Sequence, residues 1–409
     1  DAYVDAIFRM LRHLTVPRRA VIGPWGHQWP HAGRPGPAMG FLQEAVPPKP
    51  SYVVRPGRWV AEPSWPRHGE MLALTLNADG LRDRLGCGSG HGDGSQRGDV
   101  SKLTHCSPQT VGLQAGAWCA YGNPADLPLD QRRDDALSLS LDGRPLTERI
   151  EIFGAPQLRL RVASDRPVAF AAARLCDVAP DGGSTLITRG VLNLCHRTGH
   201  DQPQPLAPGE PIDVTLALKS VAYAVPAGHR LRLAISTSYW PWLWPSPSEA
   251  TVTIFTGAAS VLRIPTRAPR DEDRQVAFDE PETAPALPVV WLRARSPRQR
   301  LSIDQATGEV ALELRRDFSG GQRLPSGLEF GDCDPVLFTI REGDPLSARV
   351  SCERRIDFRR DDWRARVEVR AEMTATAAQY LVSTTIDAYE GDTRIHNRMF
   401  TAAIPRNHT

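Results

Sequence analysis

From Tyr52 to about Pro265 the chain is a succession of short runs with the two-residue period of β-strands, and that period confines the region to a β fold. The clearest runs are Met71-Leu72-Ala73-Leu74-Thr75-Leu76, Gln157-Leu158-Arg159-Leu160-Arg161-Val162, Val214-Thr215-Leu216-Ala217-Leu218 and Leu231-Arg232-Leu233-Ala234-Ile235. Successive side chains of a strand point to opposite faces, so alternation marks strands with one face in a core and the other toward water. Turn clusters separate the runs, drawing on 36 prolines and 33 glycines in the 409 residues. Proline lacks a backbone donor and glycine reaches conformations closed to other residues, so both end strands rather than extend them. The expectation is an antiparallel sandwich. The interval from Gly86 to Gly98 is Gly-rich and polar and reads as a surface loop.

The ends of the chain differ from this middle. Residues 3 to 14 predict one amphipathic helix, because Val4, Ile7, Phe8, Leu11 and Leu14 recur at helical spacing while Asp5, Arg9 and Arg12 face outward. Pro17 ends it, and Ala20-Val21-Ile22 reads as an apolar strand of the kind buried in a parallel sheet. Helix, strand and loop in that order make the tail of an α/β domain. The loop runs through Trp29, His31 and Gly33 to Gly36-Pro37-Ala38, and a short helical start is expected at Phe41-Leu42-Gln43-Glu44-Ala45. Beyond a Pro- and acid-rich connector, Arg270 to Pro288, the alternating runs Glu309 to Leu314, Arg366 to Val369 and Tyr380 to Ile386 predict a smaller β domain. The expected class is mainly β, divided into an α/β remnant at 1–50, a sandwich at 51–270, a linker at 271–287 and a second β domain at 288–409.

Lys and Arg number 49 against 47 Asp and Glu, a net charge of +2, and there is no long basic run, so a nucleic-acid partner is not expected. No apolar run is long enough to span a bilayer, and no membrane partner is expected. The seven cysteines, Cys87, Cys106, Cys119, Cys176, Cys195, Cys333 and Cys352, are odd in number and scattered, which suits a reduced, cytoplasmic compartment better than a disulfide framework. The chain opens on Asp1 rather than Met, with a helix already under way, and is read as a piece of something longer.

The chemistry centres on Val21-Ile22-Gly23-Pro24-Trp25-Gly26-His27, where an apolar strand stops at a Gly-Pro turn and delivers an imidazole at the carboxyl edge of a sheet. Asp1 stands before the helix that feeds this strand, one β-α step from His27. A carboxylate there would fix the imidazole tautomer and stabilise the imidazolium formed when the histidine takes a nucleophile's proton. Asp5 is the rival acid, but it lies inside the helix, where a solvated charge is the simpler reading. No Gly-x-Ser-x-Gly elbow occurs in the sequence. Gly88-Ser89-Gly90-His91 imitates it with the wrong glycine spacing and in a loop. Cys87 with His91, His105 with Cys106, and Cys195 with His196 are near in sequence, yet none has the paired spacing of a structural zinc site. The aromatic run Tyr239-Trp240-Pro241-Trp242-Leu243-Trp244-Pro245 reads first as packing at a strand end or against a neighbouring domain, and second as a substrate contact.

These residues resemble the CocE/NonD serine hydrolases, which include X-Pro dipeptidyl-peptidases, cocaine-esterase-type enzymes and α-amino-acid ester hydrolases. The matching runs are Asp1-Ala2-Tyr3, Gly23-Pro24-Trp25-Gly26-His27, Gly36-Pro37-Ala38, Phe41-Leu42-Gln43-Glu44-Ala45 and Gly57-Arg58-Trp59-Val60-Ala61-Glu62. They continue with Asp130-Gln131-Arg132-Arg133-Asp134-Asp135, Asp177-Val178-Ala179-Pro180-Asp181-Gly182 and Pro226-Ala227-Gly228-His229-Arg230-Leu231-Arg232-Leu233. The resemblance extends from Asp1 to about Arg267. It implies an α/β-hydrolase domain with a Ser-Asp-His triad, followed by a jelly-roll sandwich that helps shape the pocket. Asp1 matches the triad acid and His27 the triad base, while the serine and the oxyanion hole have no counterpart in these residues. After Ala45 the family runs through a Trp-rich helix and another strand, whereas this chain passes directly to Val46-Pro47-Pro48.

The implied activity is cleavage of an ester or amide, acyl or X-Pro dipeptidyl, in a small molecule or short peptide, with no metal or organic cofactor. The chain by itself, without a nucleophile, is expected to be inactive. The rival expectation is a non-catalytic β-sandwich module that binds a ligand or partner. Self-association is left open by the sequence.

Overall fold

A computed structural model gives the fold of residues 4–14, 20–22, 38–45, 56–62, 70–83, 100–118, 126–277, 285, 287–317 and 319–409. Helix α1 (Val4–His13) forms where the apolar residues recur at helical spacing. Leu11 is buried, Ile7 and Phe8 are half-buried, and Met10 faces solvent. Leu14, expected on the apolar stripe, lies one residue past the helix end and is exposed. Strand β1 (Val21–Ile22) pairs in parallel with β2 (Ala38–Glu44), Val21 opposite Met39 and Ile22 opposite Gly40.

The helical start expected at Phe41-Leu42-Gln43-Glu44-Ala45 is instead the second half of β2, and Ala45 lies just beyond the strand. Leu, Gln, Glu and Ala favour helices by only a few tenths of a kcal/mol each, roughly, over average residues. Strand β2 is paired on both edges. One edge carries β3 (Gly57–Glu62), antiparallel. The other carries β1 and then the strand Val221–Val225, both parallel. Leu42 is fully buried with Val60, Phe153 and Ala224. Two hydrogen-bonded ladders and this burial outweigh the local preference, and they join the α/β tail to the sandwich through a shared strand.

The expected runs of the middle region are strands, Met71–Asn77, Gln157–Ser164, Ile212–Ala217 and Arg230–Ser236. Among the described residues they belong to a 12-stranded and a 4-stranded sheet. One core lies between the sheets. Leu74, Leu158, Leu160, Val162, Leu216 and Leu262 enter it from the larger sheet, and Ala171, Ala173, Leu175, Leu231 and Leu233 from the smaller. Strand Phe170–Val178 is buried along its whole length because both its faces are covered. Ala171, Ala173 and Leu175 face the inter-sheet core. Ala172 packs outward under Val111, Ala115 and Tyr239.

The connector expected from Arg270 to Pro288 begins as a folded element. Asp271–Gln275 is a 3-10 turn whose Asp273 is buried and ion-paired to Arg267 at 2.8 Å, so its start is fastened to the sandwich. Beyond it, the strands of the second block form a nine-stranded antiparallel sheet among the described residues. The four C-terminal strands, Asp344–Arg360, Trp363–Ala375, Gln379–Glu390 and Thr393–Pro405, make a meander of 12 to 17 residues per strand.

Candidate catalytic frame and its supporting networks

Asp1 and His27, the expected acid and base, both lie outside the described residues, as do Gly88-Ser89-Gly90-His91, Cys87 and Cys119. What is described is the frame that delivers the pair. Helix α1 begins at Val4, three residues after Asp1, and β1 ends at Ile22, just before the Gly23-Pro24 pair in the sequence. β1 and β2 are parallel neighbours, and residues 23–37, which include His27, lie outside the described residues. Asp5, the rival acid, lies in the first turn of α1. Burial pushes the Lys219 ammonium below its usual range, and the Asp5 carboxylate works against that shift, which sets α1 beside the sandwich edge that carries Lys219.

That edge holds an ordered stack of cations and aromatic rings. The buried Arg189 guanidinium lies 3.4 Å from the centre of the Trp242 ring, and Trp242 meets Trp118 edge-on at 4.9 Å. The Lys219 ammonium sits 4.7 Å over Trp118, whose side chain is 54% exposed. Arg189 also donates to the Ala115 carbonyl and to the Tyr239 hydroxyl, and Trp242 Nε1 donates to the Gly116 carbonyl at 3.1 Å. A cation over an aromatic face contributes about 0.5–1 kcal/mol in water and more when desolvated. Arg189 therefore anchors the stack, and Trp118 presents its outer end to solvent.

The aromatic run divides its side chains between two jobs. Tyr239 and Trp242 belong to the cluster over Ala172. Trp240 turns the other way and joins Leu113 against Val310, Leu312, Ile340 and Ala348 of the C-terminal sheet. Trp240 meets Phe338 edge-on at 5.9 Å, and Trp244 meets Tyr380 at 6.2 Å. Packing against a neighbouring domain is thus what half of the run does. Gly112 makes the close approach possible, since a Cβ there would stand 2.5 Å from the Trp240 carbonyl oxygen.

Three buried charge networks hold this frame, and each contains a residue with no recognisable sequence signal. The run Asp130 to Asp135 supplies counter-charge to Arg174, a guanidinium in the middle of the fully buried strand. Arg174 donates to Asp135 at 2.7 Å, to Gln131 at 3.1 Å and to Ser138 at 3.0 Å. Asp135 also accepts from Ser184 at 2.6 Å and from Arg232 at 3.1 Å. Beside it, burial raises Asp134 above the usual carboxylate range and pushes the Cys176 thiol up to about 12. A thiol so shifted is not a nucleophile at neutral pH.

The second network is centred on Asp177, which accepts from the Tyr223 hydroxyl at 3.0 Å and lies 2.8 Å from His229 Nδ1. Tyr223 belongs to the strand that β2 joins, so this carboxylate ties β2's neighbour to the smaller sheet. In the third network Arg267, wholly buried, meets Glu62 at 2.8 Å, Glu151 at 2.6 Å and Asp273 at 2.8 Å. Arg58 adds a second cation to Glu151 and Asp273. These ladders bind β3 and the connector into one unit.

Of the metal pairs considered, His105 is held below its ordinary pKa by burial, and Cys195 donates to the Pro167 carbonyl at 3.3 Å. His196 Nδ1 lies 3.0 Å from His200 Nδ1. Among the described residues no three His, Cys, Asp or Glu side chains converge as a metal would require. The described cysteines Cys106, Cys176, Cys195, Cys333 and Cys352 are free thiols.

Comparison with known proteins adds the family. Residues 44–270 match the X-Pro dipeptidyl-peptidase C-terminal non-catalytic domain. A Mycobacterium bovis protein provisionally named a serine esterase is 26% identical over 276 residues, covering 56% of this chain and 42% of that protein. The cocaine esterase of a Rhodococcus species is 25% identical over 255 residues, covering 54% of this chain and 44% of the relative. Among solved structures, an α-amino acid ester hydrolase aligns with a TM-score of 0.45 at 18% identity, covering 57% of this chain and 41% of its own. The chain therefore spans less than half the length of the curated relatives it matches. With more than half of its residues matched, it belongs to the family of the X-Pro dipeptidyl-peptidase C-terminal non-catalytic domain.

Proposed function

We propose that this chain serves a serine hydrolase of the CocE/NonD type that cleaves an ester or amide bond in a small molecule or short peptide, with His27 as base and Asp1 as the acid that orients it. The reading rests on one observation. The strand that runs into the Gly-Pro-Trp-Gly-His segment is hydrogen-bonded to β2, and β2 is hydrogen-bonded to the strand Val221–Val225 of the family-matched sandwich. The sandwich edge where Trp118, Lys219 and Trp242 are stacked is suited to holding the acyl or amino-acyl side of a substrate. The sandwich takes the jelly-roll arrangement of the family.

In the reaction His27 takes the proton of a serine hydroxyl as its oxygen attacks the carbonyl carbon. Asp1 holds the imidazole in the needed tautomer and stabilises its charged form. Collapse of the tetrahedral intermediate returns the proton to the departing alcohol or amine. Water then repeats the sequence on the acyl-enzyme. Under this proposal the serine is supplied from outside the 409 residues, which hold no Gly-x-Ser-x-Gly elbow, and the 409 residues alone are inactive.

The test is hydrolysis of p-nitrophenyl esters and labelling by a fluorophosphonate. The 409-residue chain is expected to give neither. The same chain joined to the upstream open reading frame is expected to give both, with turnover lost in His27→Ala. Turnover by the 409 residues that vanishes in His27→Ala, or a full chain that never labels, overturns the proposal. The second of these results favours a binding module.

A further inference from the structure

Residues 109–118 and 239–245 of the sandwich build the cation and aromatic stack on one side and meet the C-terminal sheet on the other. In the first segment Leu113 joins the apolar cluster of that sheet, while Val111 and Ala115 pack over Ala172. The Ala115 and Gly116 carbonyls accept from Arg189 and Trp242, and Trp118 meets Trp242 edge-on. In the second segment Trp240 and Trp244 touch Phe338 and Tyr380 of the sheet, while Tyr239 and Trp242 touch Arg189. A single residue separates Leu113 from Ala115, and a single residue separates Trp240 from Trp242. The sheet grips both segments. At the hairpin Glu342-Gly343, the Glu342 carboxylate accepts from the Gln109 amide at 2.8 Å and from the Thr110 amide and hydroxyl at 3.3 and 3.0 Å. Gly343 donates its amide to the buried Gln109 side chain at 2.8 Å. Arg406, beyond the last strand, donates to the carbonyl of Pro245 at the end of the aromatic run.

We propose that the C-terminal sheet positions the substrate edge of the sandwich, with Glu342 as the positioning residue that fixes residues 109–118 so that Arg189, Trp242 and Trp118 can stack. These residues belong to no helix or strand, so no backbone ladder holds them, and their place is set by what packs on either side. Ala115 donates to the Gly112 carbonyl at 2.9 Å, and Trp240 donates its amide to the Val111 carbonyl at 2.7 Å, so the two segments move as one. Close-packed groups pass a displacement on rather than absorb it. Without Glu342, the Gln109 and Thr110 amides lose their acceptor, and the turn that carries the Ala115 and Gly116 carbonyls is freed at its start. Glu342 touches no substrate, and its loss acts on the affinity of the edge rather than on the chemical step. The positioning is a property of the 409 residues, and its effect on turnover rests on the hydrolase reading.

The 409-residue chain labelled with 5-fluorotryptophan carries one fluorine reporter on each of its 10 tryptophans, and Trp118→Phe and Trp242→Phe assign the two resonances of the stack. Glu342 is exposed, so Glu342→Ala is expected to fold, with unchanged far-ultraviolet circular dichroism. It should move both resonances and speed amide exchange at Ala115 and Ala117 about 10-fold. Glu342→Gln, which keeps one acceptor oxygen, should fall between wild type and Glu342→Ala. Arg370→Ala, exposed on the same sheet, should change neither readout. In the chain joined to its upstream open reading frame, Glu342→Ala should raise KM for p-nitrophenyl esters about 5-fold with kcat unchanged. Stack resonances that stay in place in Glu342→Ala, or that move equally in Arg370→Ala, overturn the proposal and leave the hydrolase reading standing. An unchanged KM in an active joined chain overturns it as well. A joined chain without turnover overturns the hydrolase reading instead, and the resonances then decide the positioning.

Discussion

Arg267 and Asp273 meet side by side, Arg267 Nη2 lying 2.8 and 2.9 Å from the two carboxylate oxygens. Arg267 ends the last strand of the sandwich, and Asp273 sits in the turn that leads to the second β block. The guanidinium is wholly buried and also faces Glu62 and Glu151. Removing it strands three carboxylates with only the partly exposed Arg58 and Arg149 as nearby cations among the described residues.

Arg267→Met is therefore expected to destabilise the sandwich by about 3–5 kcal/mol, the usual cost of breaking a buried pair from one side. Urea denaturation followed by circular dichroism measures it. Asp273→Asn, which keeps the shape and leaves two carboxylates on the arginine, should cost clearly less.

Asp317 sets an acid limit for the second block. Hydrogen bonds from Arg293 first, and from Ser296, hold its carboxyl down at about 2 from an ordinary 3.8. The folded value lies below the unfolded one, so the stabilisation is present above about pH 4 and is lost as pH falls through about 2. Arg293 is partly exposed and screened, so roughly 2 kcal/mol is expected at neutral pH. Asp317→Asn should be less stable than wild type at pH 6, and the gap should narrow steadily toward pH 2 in parallel urea titrations.

Tyr223→Phe removes one donor from the buried Asp177 carboxylate while His229 stays. Hydrogen bonds to charged groups contribute about 1.5–3 kcal/mol, and a loss of that size is expected. Because Tyr223 lies in the strand that β2 joins, amide exchange should speed up in β2 as well. Unchanged protection there would show that the network does not support the catalytic frame.

Trp240 is the main side chain joining sandwich to C-terminal sheet, and it is 1% exposed. Trp240→Ala should cost about 3–5 kcal/mol and split a calorimetric transition, with the C-terminal sheet melting first. Its indole N–H has no hydrogen-bond partner among the described residues, so Trp240→Phe should cost markedly less.

Much of this protein was legible in order along the chain. The alternating runs at 157–162 and 231–235 are strands because the two-residue period is a local property that survives whatever the strands pair with. The helix at the start and the apolar strand Val21–Ile22 were legible for the same reason. The segment Phe41 to Ala45 was not, because its helical propensity is weak and two strands distant in sequence, β3 and Val221–Val225, claim its edges. Arg174, Arg189 and Arg267 could not be told from surface arginines, since burial of a charge depends on counter-charges, carbonyls and rings distant in sequence.

By itself, the sequence determined the β character of the chain and the places where strands stop, and its family likeness is what proposes Asp1 and His27 as acid and base. Those are properties of side-chain period, turn chemistry and residue type, all carried by neighbours in sequence. Only the tertiary structure decided that β2 is a strand shared between the α/β tail and the sandwich and that the aromatic run is split between two packing partners. Pairing, register and burial arise from contacts between distant segments, and their energies exceed the local preferences that a sequence displays.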